Sequence, residues 1–226
     1  MVIFQIARTR LEAQTMDECC NKSGTVAETS DPENSEIEKL EQEIKELKLK
    51  LAFLRASSAR QKVEDYRFDG LEGSKVSLSD LFGLKKDLIV IHNMGTGCVN
   101  CTMWADGFNG LVDHISDRTA FVLISNDEPA VQKKFREKRC WRFPMVSCRG
   151  TSFFADMGFA MPADSPWGRF APGVSSFKKD DSGSIYKVAS SRFGPGDNFC
   201  VTWDLFDLLE GGADGWEARF DYELSQ

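Results

Sequence analysis

The most regular pattern in the chain is a stripe of apolar positions: Ile37, Leu40, Ile44, Leu47, Leu51 and Leu54, spaced alternately three and four apart. That spacing keeps all six on one side of an α-helix, and Glu and Lys fill the flanking positions. Ser35, with Glu38 three residues later, has the form of a capping box, so a helix is predicted over 35–64. The stripe lasts about three heptads, the short end for a coiled coil. A helix docked on its own domain and a dimer-forming coiled coil both fit it. Residues 1–34 are dominated by small and polar side chains from Cys20 onward and read as a disordered extension, with Met16 as an alternative start.

Beyond the helix the pattern changes to short elements. Tyr66-Arg67-Phe68 has strand character, Asp69-Gly70 marks a turn, and Ser77 to Phe82 suggests a short capped helix. Leu88-Ile89-Val90-Ile91-His92 is nearly all apolar and β-branched, the signature of a buried central strand. Gly95 and Gly97 break it, and a helix from about Cys98 to Ile115 follows, with Met103, Trp104, Phe108, Leu111 and Val112 as its apolar side. Ala120–Ile124 is a second buried strand and Glu128–Lys138 a charged helix. Phe143–Val146 is extended, and 152–159 forms a helical turn. Gly173–Phe177 and Ile185–Val188 form a hairpin turning at Asp180-Asp181-Ser182-Gly183, and Trp203–Leu209 is a last helix. This order implies an α/β fold with helices on both faces of the sheet, and a first βαβ unit that is parallel and right-handed. The divisions are then a domain over 65–210 and a tail over 211–226.

At 226 residues the chain can build one sizeable core plus an appendage. A net charge of -7 argues against nucleic acid as a partner, because phosphates would be repelled. No apolar run approaches the ~20 residues needed to span a bilayer. The mildly apolar start, Met1–Ala7, is too short for a signal peptide, and its arginines follow rather than precede it. A cytoplasmic protein without membrane contact is expected. The seven Cys are odd in number and scattered, unlike a secreted disulfide framework.

Chemistry concentrates at Cys98-Val99-Asn100-Cys101, where a buried strand gives way to a helix. The free N–H groups and dipole of a helix N-terminus favour an anion, so a thiol there ionises readily. Cys98 is the candidate nucleophile. Cys101, one turn later, can attack a mixed disulfide formed at Cys98 and release the reduced substrate. Zinc is the first competing explanation, but two His and no second close Cys pair leave a four-ligand site incomplete. A dinucleotide loop fails because Asn100 stands where the third glycine of Gly-x-Gly-x-x-Gly belongs. Inert packing of both thiols is the remaining alternative. No cofactor is implied, so electrons come from an external donor.

The stretch His92-Asn93-Met94-Gly95-Thr96-Gly97-Cys98-Val99-Asn100-Cys101-Thr102-Met103-Trp104-Ala105-Asp106-Gly107-Phe108-Asn109-Gly110 resembles a mostly bacterial thioredoxin-like family, known only as domain of unknown function number eight-nine-nine. The Glu/Leu/Lys-rich helix, Tyr66-Arg67-Phe68-Asp69-Gly70 and Trp141-Arg142-Phe143-Pro144 extend the likeness over about 36–210. The resemblance implies a thioredoxin-like three-layer α/β/α sandwich with a mixed central sheet, and a thiol–disulfide oxidoreductase acting on a disulfide-bearing protein or small molecule. It matches Cys98 and Cys101 to the thioredoxin redox pair. His92 falls where thioredoxins carry a buried Asp that exchanges protons with the second Cys; a hydrogen-bonded core histidine is the other reading. Pro172 matches the cis-proline facing the Cys pair, with Pro144 as competitor. Pro172, Gly97 and Trp104 are thereby assigned to the substrate-facing surface. Gly97 replaces the Trp usual before the first Cys, and Val99-Asn100 replaces Gly-Pro, so the redox direction stays open. The peroxiredoxin signature Pro-x-x-x-Thr-x-x-Cys is missing, since Thr96 is one residue too close to Cys98. A non-catalytic binding module, dimerised by the coiled coil, is the alternative function.

Among the remaining residues, Cys140 and Cys148 read as a second redox pair or, more simply, as structural thiols. His114 reads as a surface residue, and Asp106 as a solvated or loop-capping carboxylate.

Overall fold

The structure, a computed structural model, describes residues 32–166 and 168–223. The described residues divide into two units, with the boundary between Lys50 and Leu51. Up to residue 31 the expected disordered extension lies outside the described residues, as do Met16, Cys19 and Cys20.

The heptad stripe lies on one helix, α1 (Pro32–Ser57). It starts earlier than the capping box implied: Ser35 and Glu38 sit inside the first turns. Proline explains this, because its fixed φ suits the first helical position and its missing N–H costs nothing there. The helix also ends earlier than residue 64. Hydroxyls of Ser57 and Ser58 donate to the carbonyls of Phe53 (2.9 Å) and Leu54 (2.7 Å), satisfying last-turn acceptors.

The second unit is built on one mixed eight-stranded sheet. Its strands are β1 (Gln61–Val63), β2 (Arg67–Gly70), β3 (Lys75–Ser77), β4 (Asp87–His92), β5 (Ala120–Ser125), β6 (Met145–Ser147), β7 (Gly173–Lys179) and β8 (Ile185–Arg192). In space they run β1-β8-β7-β4-β5-β6-β2-β3. β4, β5 and β6 are parallel neighbours, and β7 lies antiparallel to β4 with β8 beyond it. The turn expected at Asp69-Gly70 falls later: both residues are in β2, and the Gly70 N–H donates to the Ser74 carbonyl (2.7 Å).

The helices of this unit are α2 (Val99–Arg118), α3 (Pro129–Lys138), the one-turn α4 (Phe153–Asp156) and α5 (Val201–Phe206). A 3₁₀ turn covers Asp80–Phe82. β4-α2-β5-α3-β6 are two successive parallel crossovers advancing in the same direction, and both long helices pack over one face. Between that face and the helices lie Ile91, Trp104, Ala105, Phe108, Phe121 and Phe143. The other face carries Leu88, Val90, Phe68, Phe82, Phe153 and Phe177, covered by α4, the 3₁₀ turn and connecting loops. The strand period of two thus sorts successive residues of β4 into opposite layers. A mixed sheet with a βαβαβ core, followed by an antiparallel hairpin and a helix, is a thioredoxin-like α/β fold. No helix among the described residues is long and apolar enough to cross a membrane.

Candidate active site

β4 hands over to the Cys loop at its carboxyl end. Asn93 is buried, and its side chain ties the loop together: Oδ1 accepts the Gly95 N–H (2.8 Å), and Nδ2 donates to the Cys101 carbonyl (3.4 Å). Asp127, just past the end of neighbouring β5, accepts the Thr96 N–H at 2.6 Å. Gly95 has φ +116°, and a Cβ there would sit 2.8 Å from both Asp127 carboxylate oxygens, so this position requires glycine.

Cys98 is the N-cap of α2, in extended conformation (φ −97°, ψ 106°). Its sulfur accepts the Cys101 backbone N–H at 3.2 Å, the capping geometry usually supplied by Ser or Asp. Its carbonyl accepts both the N–H (3.1 Å) and the hydroxyl (3.0 Å) of Thr102. The Met94 thioether lies 4.0 Å from the Cys98 sulfur. Cys98 is half-buried, whereas Cys101, one turn further in, is 3% exposed. Both are free thiols.

Their acidities diverge. The Cys98 thiol is lowered to about 7, chiefly by a hydrogen bond from the Cys101 thiol, with the N–H groups of Cys101 and Asn100 helping against the cost of burial. The Cys101 thiol is pushed far up by that same hydrogen bond, by burial and by charge on Cys98. Near neutral pH the pair thus holds a half-buried thiol poised to ionise and a buried proton donor.

Gly97 is exposed beside Cys98, with nothing within 4 Å of where a Cβ would project. Pro172 precedes β7, whose register pairs Gly173 with His92, so Pro172 lies at the sheet end from which the Cys loop leaves. Its peptide bond is trans, as is that of Pro144, since the described residues contain no cis peptide; the thioredoxin cis-proline has no counterpart here.

Two assigned residues are elsewhere. Trp104 is buried in the layer beneath α2, stacked on Phe193 at 5.3 Å, and does not face substrate. It lies three residues after Cys101, on the inward side of the helix with Phe108. His92 belongs to the opposite layer, because the pleat points it away from Asn93 and α2. Its ring stacks on Phe159 at 3.9 Å and meets Phe153 and Phe154. Nε2 meets the Ser175 hydroxyl at 2.9 Å and Nδ1 has no partner, so neither nitrogen reaches a sulfur. Burial and then the charge of Lys187 lower its pKa to about 3, which keeps it neutral.

Nor do Cys140 and Cys148 form a second pair; both are free thiols. Cys148 is buried in the His92 layer, donates to the Ser125 carbonyl, and has its thiol pushed up to about 12 by burial. Cys140 is exposed. Asp106 is a tether, accepting from the Arg139 guanidinium and from the Trp141 indole N–H at 2.8 Å. Among the described residues no group of three or more His, Cys, Asp or Glu is placed to hold a metal ion.

Asn93, Met94 and Asp127 are the site residues that motif reading missed. Asp127 lies 31 residues from Thr96 in the chain; only the parallel pairing of β4 with β5 reveals that their following loops meet. The same end of the sheet carries a pocket of about 640 Å³, bordered by Asn126, Arg149, Phe154 and Arg169.

A family model described as a bacterial protein of unknown function (DUF899) matches residues 24–220. The chain belongs to this family. For the DUF899 chain no curated protein is a match. Solved structures similar to it include peroxidoxin BcpB from Mycobacterium tuberculosis, with 22% identity over 58% of this chain and 84% of that one and a TM-score of 0.47. Reduced Prx3 from Vibrio vulnificus has 17% identity over 62% and 90%, with a TM-score of 0.49. A peroxiredoxin-like protein from Aquifex aeolicus has 15% identity over 60% and 75%, with a TM-score of 0.47. At these values the fold of the DUF899 chain rests on its own sheet topology.

Proposed function

We propose that the protein is a thiol–disulfide oxidoreductase in which Cys98 attacks and Cys101 resolves. One observation carries this reading: a half-buried sulfur caps α2 and accepts the N–H of a buried cysteine one turn later. Activated cysteines are found in such partly exposed, N-terminal settings, whereas structural thiols are sealed in apolar surroundings.

The reaction follows from the two acidities. The Cys98 thiolate attacks one sulfur of a substrate disulfide; the substrate S–S bond breaks, a Cys98–substrate mixed disulfide forms, and the first substrate thiolate leaves and takes up a proton. The Cys101 thiol then gives its proton to the second leaving sulfur and attacks Cys98. A Cys98–Cys101 disulfide remains, and both substrate sulfurs are now thiols. An external dithiol reduces the pair and is itself oxidised to a disulfide. Gly97 leaves room for a substrate backbone beside Cys98, and Pro172 borders the same end of the sheet. His92 takes no part as a base.

The test is turnover of a disulfide substrate with a dithiol reductant. Cys98→Ser is expected to abolish it, and Cys101→Ser to accumulate the mixed disulfide, visible as a mass adduct. Full turnover by Cys98→Ser contradicts the proposed nucleophile.

A further inference from the structure

The stripe on α1 plays no part in the Cys chemistry and stands apart from the redox reading. All six of its side chains are exposed, from 40% for Leu51 to 64% for Leu47. Leu49 and Phe53 are exposed as well, at 65% and 69%, but fall on outer heptad positions. With Ile37, Ile44 and Leu51 at a and Leu40, Leu47 and Leu54 at d, the flanking e positions are Glu41, Lys48 and Arg55 and the g positions are Glu36, Glu43 and Lys50. The flanks are acidic in the first half of the helix and basic in the second.

That segregation decides the occupant. In a parallel pairing of two copies, each g residue meets the e residue of the following heptad. Glu36 then meets the partner's Glu41, and Lys50 meets the partner's Arg55, both repulsive and each occurring twice; only Glu43 with the partner's Lys48 attracts. In an antiparallel pairing, Ile37 packs on the partner's Leu54, Leu40 on the partner's Leu51, and Ile44 on the partner's Leu47. Position e then faces e, and g faces g. Glu41 meets the partner's Lys48 and Glu43 meets the partner's Lys50, each twice, with no like-charged pair between these positions.

We propose that α1 binds a second copy of this chain as an antiparallel coiled coil, with its a/d seam dry and its flanks joined by these four ion pairs. The self-complementarity of an acidic half facing a basic half makes the interface isologous and closed at two copies.

Sedimentation equilibrium of the full chain, from micromolar to near-millimolar concentration, reads the outcome. A monomer–dimer equilibrium is expected. Leu47→Glu is expected to abolish it, with the disulfide-reduction activity or circular dichroism reporting that the second unit remains folded. The paired charge variant Lys48→Glu/Lys50→Glu keeps every apolar residue and is expected to weaken self-association by about tenfold or more. Mixing it with Glu41→Lys/Glu43→Lys is expected to restore pairing, since all four contacts become opposite again. Lysine cross-linking between isotopically heavy and light copies is expected to join Lys39 to the partner's Lys50. A chain that stays monomeric at every concentration, a dimer indifferent to Leu47→Glu, or cross-links joining Lys39 to the partner's Lys39 would each overturn the proposal.

Discussion

Cys98 and Cys101 differ by a single turn of helix, and that turn separates solvent from core. The outer sulfur accepts the Cys101 N–H in the first turn of α2; the inner one is enclosed. The thiolate is the nucleophile, so the pH dependence of Cys98 reactivity follows its acidity. With its thiol at about 7 instead of the ordinary 9.0, alkylation by iodoacetamide is expected to rise with a midpoint near 7. A midpoint near the free-thiol value contradicts the capping account. His92 makes an opposite kind of prediction. Its folded pKa of about 3 lies below the ordinary 6.5, so between these values the unfolded chain binds a proton that the folded one refuses. Stability therefore falls as pH drops below 6.5, by at most about 1.4 kcal/mol per pH unit from this residue. His92→Gln is expected to flatten that dependence in urea titrations, and an unchanged slope counts against it. The residue types at both positions were legible from the sequence. The direction of the His92 ring was not, because spacing from Cys98 along the chain says nothing of which way the pleat turns. Trp104 carried its own correction, since the helical period that places it with Phe108 also places it inside.

At the scale of elements, the loop between β4 and α2 is held from outside its own sequence. Asn93 braces it from within, while Asp127 reaches across from the end of β5 to the Thr96 N–H. Asp127→Ala leaves that N–H without its partner and is expected to cost roughly 1–3 kcal/mol in urea denaturation. Asp127→Asn, whose amide oxygen still accepts, is expected to cost less; equal stability of Asp127→Ala and the parent contradicts the brace. Such long-range contacts are invisible to local pattern. The same holds for β1: Gln61-Lys62-Val63 has no strand signature, and pairing with Lys187, Tyr186 and Ile185 of β8 makes it a strand. The central elements were legible because their signal is their own, as in the apolar runs of β4 and β5. The start of α1 was misplaced because a proline at the first helical position outweighed a capping box three residues later.

Across the second unit as a whole, the parallel order β4-β5-β6 gathers three carboxyl ends on one side of the sheet, and the Cys loop, the Asp127 brace and the pocket beside Asn126 all follow from those ends. Ligands of open α/β sheets bind at such strand ends. The order of elements was enough to predict an α/β sheet with a parallel first βαβ unit, and the family resemblance supplied the thioredoxin-like arrangement. That order was not enough to predict that both long crossover helices share one face while the other is closed mainly by aromatic packing around His92. The account comes down to whether Cys98 and Cys101 act as one redox pair. Titration of the full chain in mixtures of oxidised and reduced dithiothreitol, with peptide mapping of the disulfides, measures this directly. The account predicts a Cys98–Cys101 disulfide that forms and is lost reversibly in a single two-electron step, while Cys148 and Cys200 stay thiols. Two sulfurs that remain free under oxidising conditions, or that link to other cysteines first, would contradict it.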